Sequence, residues 1–275
     1  MQTVQHSEQT LKTALISKNP ALVSQYEKLD DGERRLLNKA FKPDNDLFGP
    51  ITLHSESDWI ISHPEAPQDF EEFFSDPSRK APSPEKRSIY IQCIGVGIFS
   101  FARYGSDFYS SHYEGKVNKL QRVSSSDYSI FDNYYIPEVT SILLLRSCKT
   151  LTHEIGHIFG LRHCQWLACL MQGSNHLEEA DRRPLNLCPI CLRKLHCAVG
   201  FNIIDRYQER MSFLKEEEGE DVISALVRWI DDESADSPGV RREHSREDHV
   251  TLPKPVEAFK EWKEWIIRCL AVVQK

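Results

Sequence analysis

The stretch His153-Glu154-Ile155-Gly156-His157-Ile158-Phe159-Gly160-Leu161-Arg162-His163 decides the reading of this chain. Residues four apart share one face of a helix, so His153 and His157 can grip a single ion if the stretch is helical. Glu154 adjoins the first histidine and can reach a water on that ion without ligating it. Gly160 takes a left-handed conformation at little cost, which lets the helix stop there. The chain can then turn so that His163 returns as a third nitrogen ligand. Three protein ligands leave a tetrahedral zinc one open position, the mark of a catalytic site rather than a closed one. Zinc lowers the pKa of its water toward about 7, and the neighbouring carboxylate can take the proton. HExxH alone also arises on solvated helices. The added GxxH supplies a helix stop and a further ligand at a fixed distance, and it carries the weight of the reading.

A second constellation starts at the next residue. Cys164 and Cys169 are followed by Cys188 and Cys191, the latter pair as Cys-Pro-Ile-Cys. Two close pairs of thiolates suit a tetrahedral structural zinc. Two disulfides, or idle buried thiols, are the competing accounts. The opening Met1-Gln-Thr-Val-Gln-His-Ser-Glu8 lacks the basic start and apolar core of a signal peptide. A reducing compartment disfavours disulfides, so metal is preferred. Cys93, Cys148, Cys197 and Cys269 lack such spacing and read as small buried apolar residues. Met171, taken alone, reads as a core filler.

From HEIGHIFGLRHC at His153, through Cys169-Leu170-Met171, to Cys-Pro-Ile-Cys at Cys188, the chain resembles the archaemetzincins, a branch of the metzincin zinc peptidases. The resemblance implies a catalytic zinc on His153, His157 and His163, with Glu154 as general base. It implies a structural zinc on Cys164, Cys169, Cys188 and Cys191, hence two Zn2+ per chain. Met171 is then the methionine of the turn that floors a three-histidine site. The implied activity is hydrolysis of peptide bonds, with an aminopeptidase-like action. The implied fold is α+β: a metzincin-like zinc-peptidase domain with a long zinc-binding helix and a C-terminal zinc-stapled helical subdomain. In metzincins an edge strand above the cleft pairs with substrate by β-augmentation; Val96 to Tyr104 occupies that position here, with an ordinary core strand as the equal alternative.

The residues before the zinc helix depart from that pattern. Ser88 to Gly95 and Val96 to Tyr104 read as two strands that abut with only Gly95 and Gly97 as turn chemistry. Such a run exceeds the usual strand of roughly 3–10 residues, and a tight hairpin needs roughly two positive-φ turn residues. We expect a reduced N-terminal sheet, with a helix and a strand or two found in relatives absent here.

The 275 residues and ordinary composition suit one to two globular domains. A net charge of −7 gives no support for a nucleic-acid surface, which makes a zinc-ribbon nucleic-acid binder the weakest of the readings. No window approaches the ~18 apolar residues of a membrane span. A monomer in the cell interior, cytoplasmic with the nucleus also open, is expected, acting on a peptide or protein substrate. We divide the chain into an N-terminal helical segment at 1–75, a linker at 76–87, a catalytic domain at 88–215 with the structural zinc site, an acidic segment at 216–254 with a short helix, and a C-terminal amphipathic helix at 255–275. In the first segment Leu11, Leu15 and Ile16 form one apolar cluster and Leu22, Tyr26 and Leu29 another, with Asn19-Pro20 as a helix start. Pro137 to Phe159 reads as the zinc helix, apolar enough to be buried. A helical pattern runs through Leu195, Val199, Ile203 and Tyr207. The final stripe is Phe259, Trp262, Ile266, Cys269, Leu270 and Val273, which docks on the chain's own domain. The alternative to an enzyme is a catalytically impaired zinc-binding protein that acts as a peptide- or protein-binding module.

Overall fold

Local chemistry sets the first helices. Ser7 caps α1 (Glu8–Ile16), its hydroxyl accepting from Thr10 N at 3.0 Å. Asn19 caps α2 (Pro20–Glu27), with proline at the first turn. Asp30 and Glu33 close a capping box on α3 (Asp31–Leu37), and Asp69 and Glu72 close another on α5 (Phe70–Ser75). A short α4 (Trp59–Ser62) lies between. This computed structural model describes residues 2–63, 65–77, 104, 140–213 and 255–275. Within them the only strands are β1 (Gln2–Thr3) and β2 (Thr52–Leu53), an antiparallel pair. The strands expected at Ser88 to Tyr104, the residues after Pro77 in the linker, and the acidic segment lie outside the described residues, Tyr104 itself excepted.

Among the described residues one contiguous core runs through the fold. It joins Leu11, Leu15, Leu22, Tyr26, Leu36 and Phe73 of the first helices to Leu161, Leu167, the four clustered cysteines and Ile190. The same core takes in Tyr207, Trp265, Ile266, Cys269 and Val273. The first 75 residues therefore pack on the part that carries the cysteine cluster rather than beside it. Arg193 fastens this contact. Its buried guanidinium donates to Leu15 O, and to Leu22 O at 3.1 Å, and stacks 3.7 Å from the Phe70 ring centre.

The last helix, α10 (Pro255–Val273), closes the core as its stripe predicts. An added Cβ on Gly32 would meet Val273 O at 2.6 Å, so a glycine is what lets α10 end against α3. Arg35 donates to Val273 O at 2.8 Å. Trp265, which the expected stripe omits, is buried, and its indole N–H donates to Leu47 O at 2.8 Å.

The structure corrects four expectations. The zinc helix, α6 (Ser141–Ile158), starts at its N-cap Thr140, whose φ of −90° and ψ of 157° are extended; the hydroxyl accepts from Leu143 N at 3.2 Å. It is buried on one face only: Leu143, Leu145, Lys149 and His153 point inward, while Leu151, Ile155 and Ile158 are exposed. Cys148 shares the exposed side and is not a buried thiol. The pattern through Leu195 to Tyr207 is two helices, α8 (Pro189–Val199) and α9 (Ile203–Phe213), because Gly200 at φ 78° ends the first. The apolar period continues across the break, and so it could not reveal it. Between α6 and α8 lies α7 (Leu177–Arg182).

Candidate metal centres

The geometry at the end of α6 follows from its capping. Phe159 N bonds back to Ile155 O, Gly160 adopts φ 86°, and Leu161 N returns to Gly156 O at 3.1 Å. The chain reverses there and delivers His163 to the face that carries His153 and His157. The ring centres lie 4.6 Å (His153–His157), 4.8 Å (His157–His163) and 5.4 Å (His153–His163) apart. One donor atom of each lies within 4.8 Å of the others.

Hydrogen bonding fixes which nitrogens face inward. His153 Nδ1 lies 2.9 Å from Leu170 O, His157 Nδ1 2.6 Å from Leu161 O, and His163 Nδ1 2.9 Å from Glu65 Oε2. Carbonyls and carboxylates accept, so each Nδ1 donates, and in the neutral rings of His153 and His157 Nε2 keeps a lone pair. The Nε2 atoms of His153 and His157 then face each other at 2.9 Å. Two lone pairs that close repel unless a cation lies between them. Tetrahedral zinc, with Zn–N bonds near 2.0–2.1 Å, sets its nitrogens about 3.3 Å apart. The donor set fits that ion. Burial pushes the His153 imidazole down to about 3 and lowers His157 as well, so both stay in the neutral form that ligates. Glu154 is half-buried beside this trio, and its charge acts on both His157 and Arg183.

Met171 packs against α6 at Gly156. A Cβ on Gly156 would lie 2.4 Å from its Sδ, so the thioether fills the space that a side chain at Gly156 would take. Behind His153, Arg183 Nη1 donates to Gln172 O at 2.9 Å, and the guanidinium charge 3.1 Å from Nδ1 further disfavours a charged His153 ring. Lys149 of α6 donates to Asp181 O and Arg183 O, and Arg146 forms a two-point ion pair with Asp181. These bonds hold the C-terminal end of α7 against α6.

The four cysteines converge as well. All four are buried, their sulfurs lie within 4.8 Å of one another, and the described cysteines form no disulfide. Cys164 Sγ to Cys188 Sγ is 3.7 Å, near the ~3.75 Å edge of a tetrahedron with Zn–S bonds of about 2.3 Å. Burial raises the Cys169 and Cys188 thiols, while hydrogen bonds from its three neighbours favour the thiolate at Cys164. A divalent cation would resolve that conflict. Backbone N–H groups already point at one sulfur, from Met171 at 3.4 Å and Cys188 at 3.2 Å to Cys169 Sγ.

Several residues that shape the site have no signature in the motif. Glu65 holds His163. Gln68 donates to Gly160 O at 3.2 Å and accepts from Arg162 N at 3.1 Å. The Trp59 ring lies 4.6 Å from His163 and rests on Gly173, where a Cβ would strike the indole at 2.1 Å. All come from the N-terminal segment, about a hundred residues away, where no spacing rule could flag them. A third group, Asp58, His176 and Glu179, also brings its donors together. Its carboxylates are already taken by His54 N, Arg182, Trp59 N and Asn175 N, so it staples loops.

A fold that delivers three imidazoles, an adjoining carboxylate and a cysteine tetrad belongs to a zinc metallopeptidase. The sequence profile of peptidase family M54 matches residues 93–197. Archaemetzincin-2 of Homo sapiens is 57% identical over 376 residues, with the whole of both chains covered. Archaemetzincin-2 of Mus musculus is 50% identical over the same span and coverage. Archaemetzincin-1 of Homo sapiens is 26% identical over 300 residues, covering 72% of this chain and 60% of that one. No solved structure matches the chain. The chain belongs to the archaemetzincins, peptidase family M54. Because the archaemetzincin-2 alignment spans 376 positions and this chain supplies 275 residues, 101 positions of that alignment lie opposite gaps in it.

Proposed function

We propose that the chain hydrolyses peptide bonds with His153, His157 and His163 holding a catalytic zinc and Glu154 acting as general base. The carrying observation is the pair of inward Nε2 lone pairs 2.9 Å apart, each fixed by an outer hydrogen bond on Nδ1. Zinc held there supplies Lewis acidity toward a scissile carbonyl and acidifies water near neutral pH. Glu154 accepts the proton of the attacking water and returns it to the leaving amine. Leu170 O and Leu161 O keep their imidazoles in the ligating tautomer throughout, and Met171 supports the floor, in keeping with a metzincin arrangement. Cys164, Cys169, Cys188 and Cys191 hold a second, structural zinc. An aminopeptidase-like preference, and a reducing intracellular compartment that keeps these buried thiols available to metal, complete the reading.

Glu154→Gln tests it. The variant is expected to keep its zinc, read by mass spectrometry, and to lose peptide hydrolysis by about 10²–10⁴-fold. Turnover at the wild-type rate would refute the assigned role.

The second reading is a zinc-binding protein that captures peptides without cleaving them. The 101 positions opposite gaps favour it, and we infer that part of this shortening falls at Gly95, where two strand-like stretches abut. Peptide hydrolysis by the wild-type chain, abolished by a chelator and restored by zinc, separates the two.

A further inference from the structure

Two of the three histidines are placed by a helix, and the third is not. His153 and His157 sit one turn apart on α6, so the backbone sets their directions. His163 lies beyond Gly160, on a loop, and needs something else to aim it. Its partner also differs in kind. The helical histidines donate to neutral carbonyls, whereas His163 Nδ1 lies 2.9 Å from the carboxylate of Glu65.

We propose that Glu65 is the positioning residue of the histidine site, fixing the His163 ring so that Nε2 faces the point shared with His153 and His157. The proposal rests on the catalytic reading above and adds to it a residue outside the M54 match at 93–197.

Bonds that do not involve the Glu65 side chain also hold residues 65–68 in place. Gln165 donates to the Glu65 carbonyl. Gln68 grips the turn on both sides, through Gly160 O and Arg162 N. Its own carbonyl accepts from Trp166 Nε1 at 2.9 Å, and the buried Lys194 ammonium lies 3.2 Å from its Oε1. The strap thus brackets residues 160–166, and Glu65 is the member that reaches a ligand. A carboxylate behind a ligating imidazole fixes its tautomer and orientation and makes it a better donor. Both side chains are about one-third exposed, 29% for His163 and 33% for Glu65. Water therefore screens the charge, and orientation is the larger part of the effect.

Cobalt(II) titration of the full-length chain tests this, since thiolate ligation gives near-ultraviolet charge-transfer absorption that a histidine site lacks, and the two sites are read separately. Glu65→Ala is expected to weaken metal at the histidines by about 10–100-fold while the cysteine site keeps its affinity. Glu65→Gln keeps an acceptor oxygen in the same place and is expected to fall between wild type and Glu65→Ala. A merely structural role would instead weaken both sites together and lower the melting temperature of the metal-free protein. That pattern, or unchanged affinity at the histidines, overturns the proposal while leaving the catalytic reading intact. A wild-type chain that takes up metal only at the cysteines overturns the reading and the proposal together.

Discussion

Gly156 lies between His153 and His157 with the Met171 thioether against it. A methyl group there would come within 2.4 Å of Sδ, and an interior this tight has nowhere to send it. Gly156→Ala is expected to cost about 1–3 kcal/mol. Met171→Ala opens the same space, so the double variant should cost less than the sum of the singles, as measured by denaturant unfolding. Strict additivity would show that the two residues do not meet. His153 gives a pH prediction for the metal-free chain. Burial holds its folded pKa at about 3, below the ordinary 6.5, so the unfolded state takes up the proton first. The stabilisation is complete above about pH 6.5 and is lost as pH falls toward about 3. Melting temperatures of the chelated protein should decline below about pH 6.5, and a flat profile would sink the assignment. The motif names both residues, but only Gly160 announces its own role. Gly156 looks like a spacer until Met171 arrives against it.

The zinc helix shows how far periodicity reaches. Its stop was legible, because a glycine followed by a ligand has few structural uses. Its buried face was not, because apolar residues lie on two sides: Leu145 is 5% exposed and Leu151 is 48% exposed. Lys149 and Arg146, polar by type, face the interior because Asp181 and the carbonyls of Asp181 and Arg183 receive them. We expect Leu145→Ala to cost about 2–5 kcal/mol and Leu151→Ala about 0.5 kcal/mol or less in thermal or chemical unfolding. Equal costs would mean that the outer stripe is covered. The break at Gly200 belongs to the same scale. Apolar spacing on either side continues in phase, and only the left-handed glycine marks the end of α8.

At the scale of the molecule, the cysteine tetrad sits in the one core that joins the first helices, α8 and α10. An ion held there would be coupled to the whole of that core. Cys191→Ser is expected to release one zinc per chain, retain the other, and lower the melting temperature, since folding and structural-metal binding share their free energy. Loss of both ions, or of neither, would show that the two sites are not separate. No described helix is long and apolar enough to cross a membrane.

The sequence by itself picked out the histidine trio. Helical period and a glycine stop act over a few residues, and eleven consecutive positions suffice to name three imidazoles, an adjoining carboxylate and a turn. The tertiary structure alone decided what holds those imidazoles. Leu170 O reaches His153 from 17 residues away and Glu65 reaches His163 from 98. A backbone carbonyl carries no residue signature, and a lone glutamate in a loop resembles any other until the fold brings it to an imidazole.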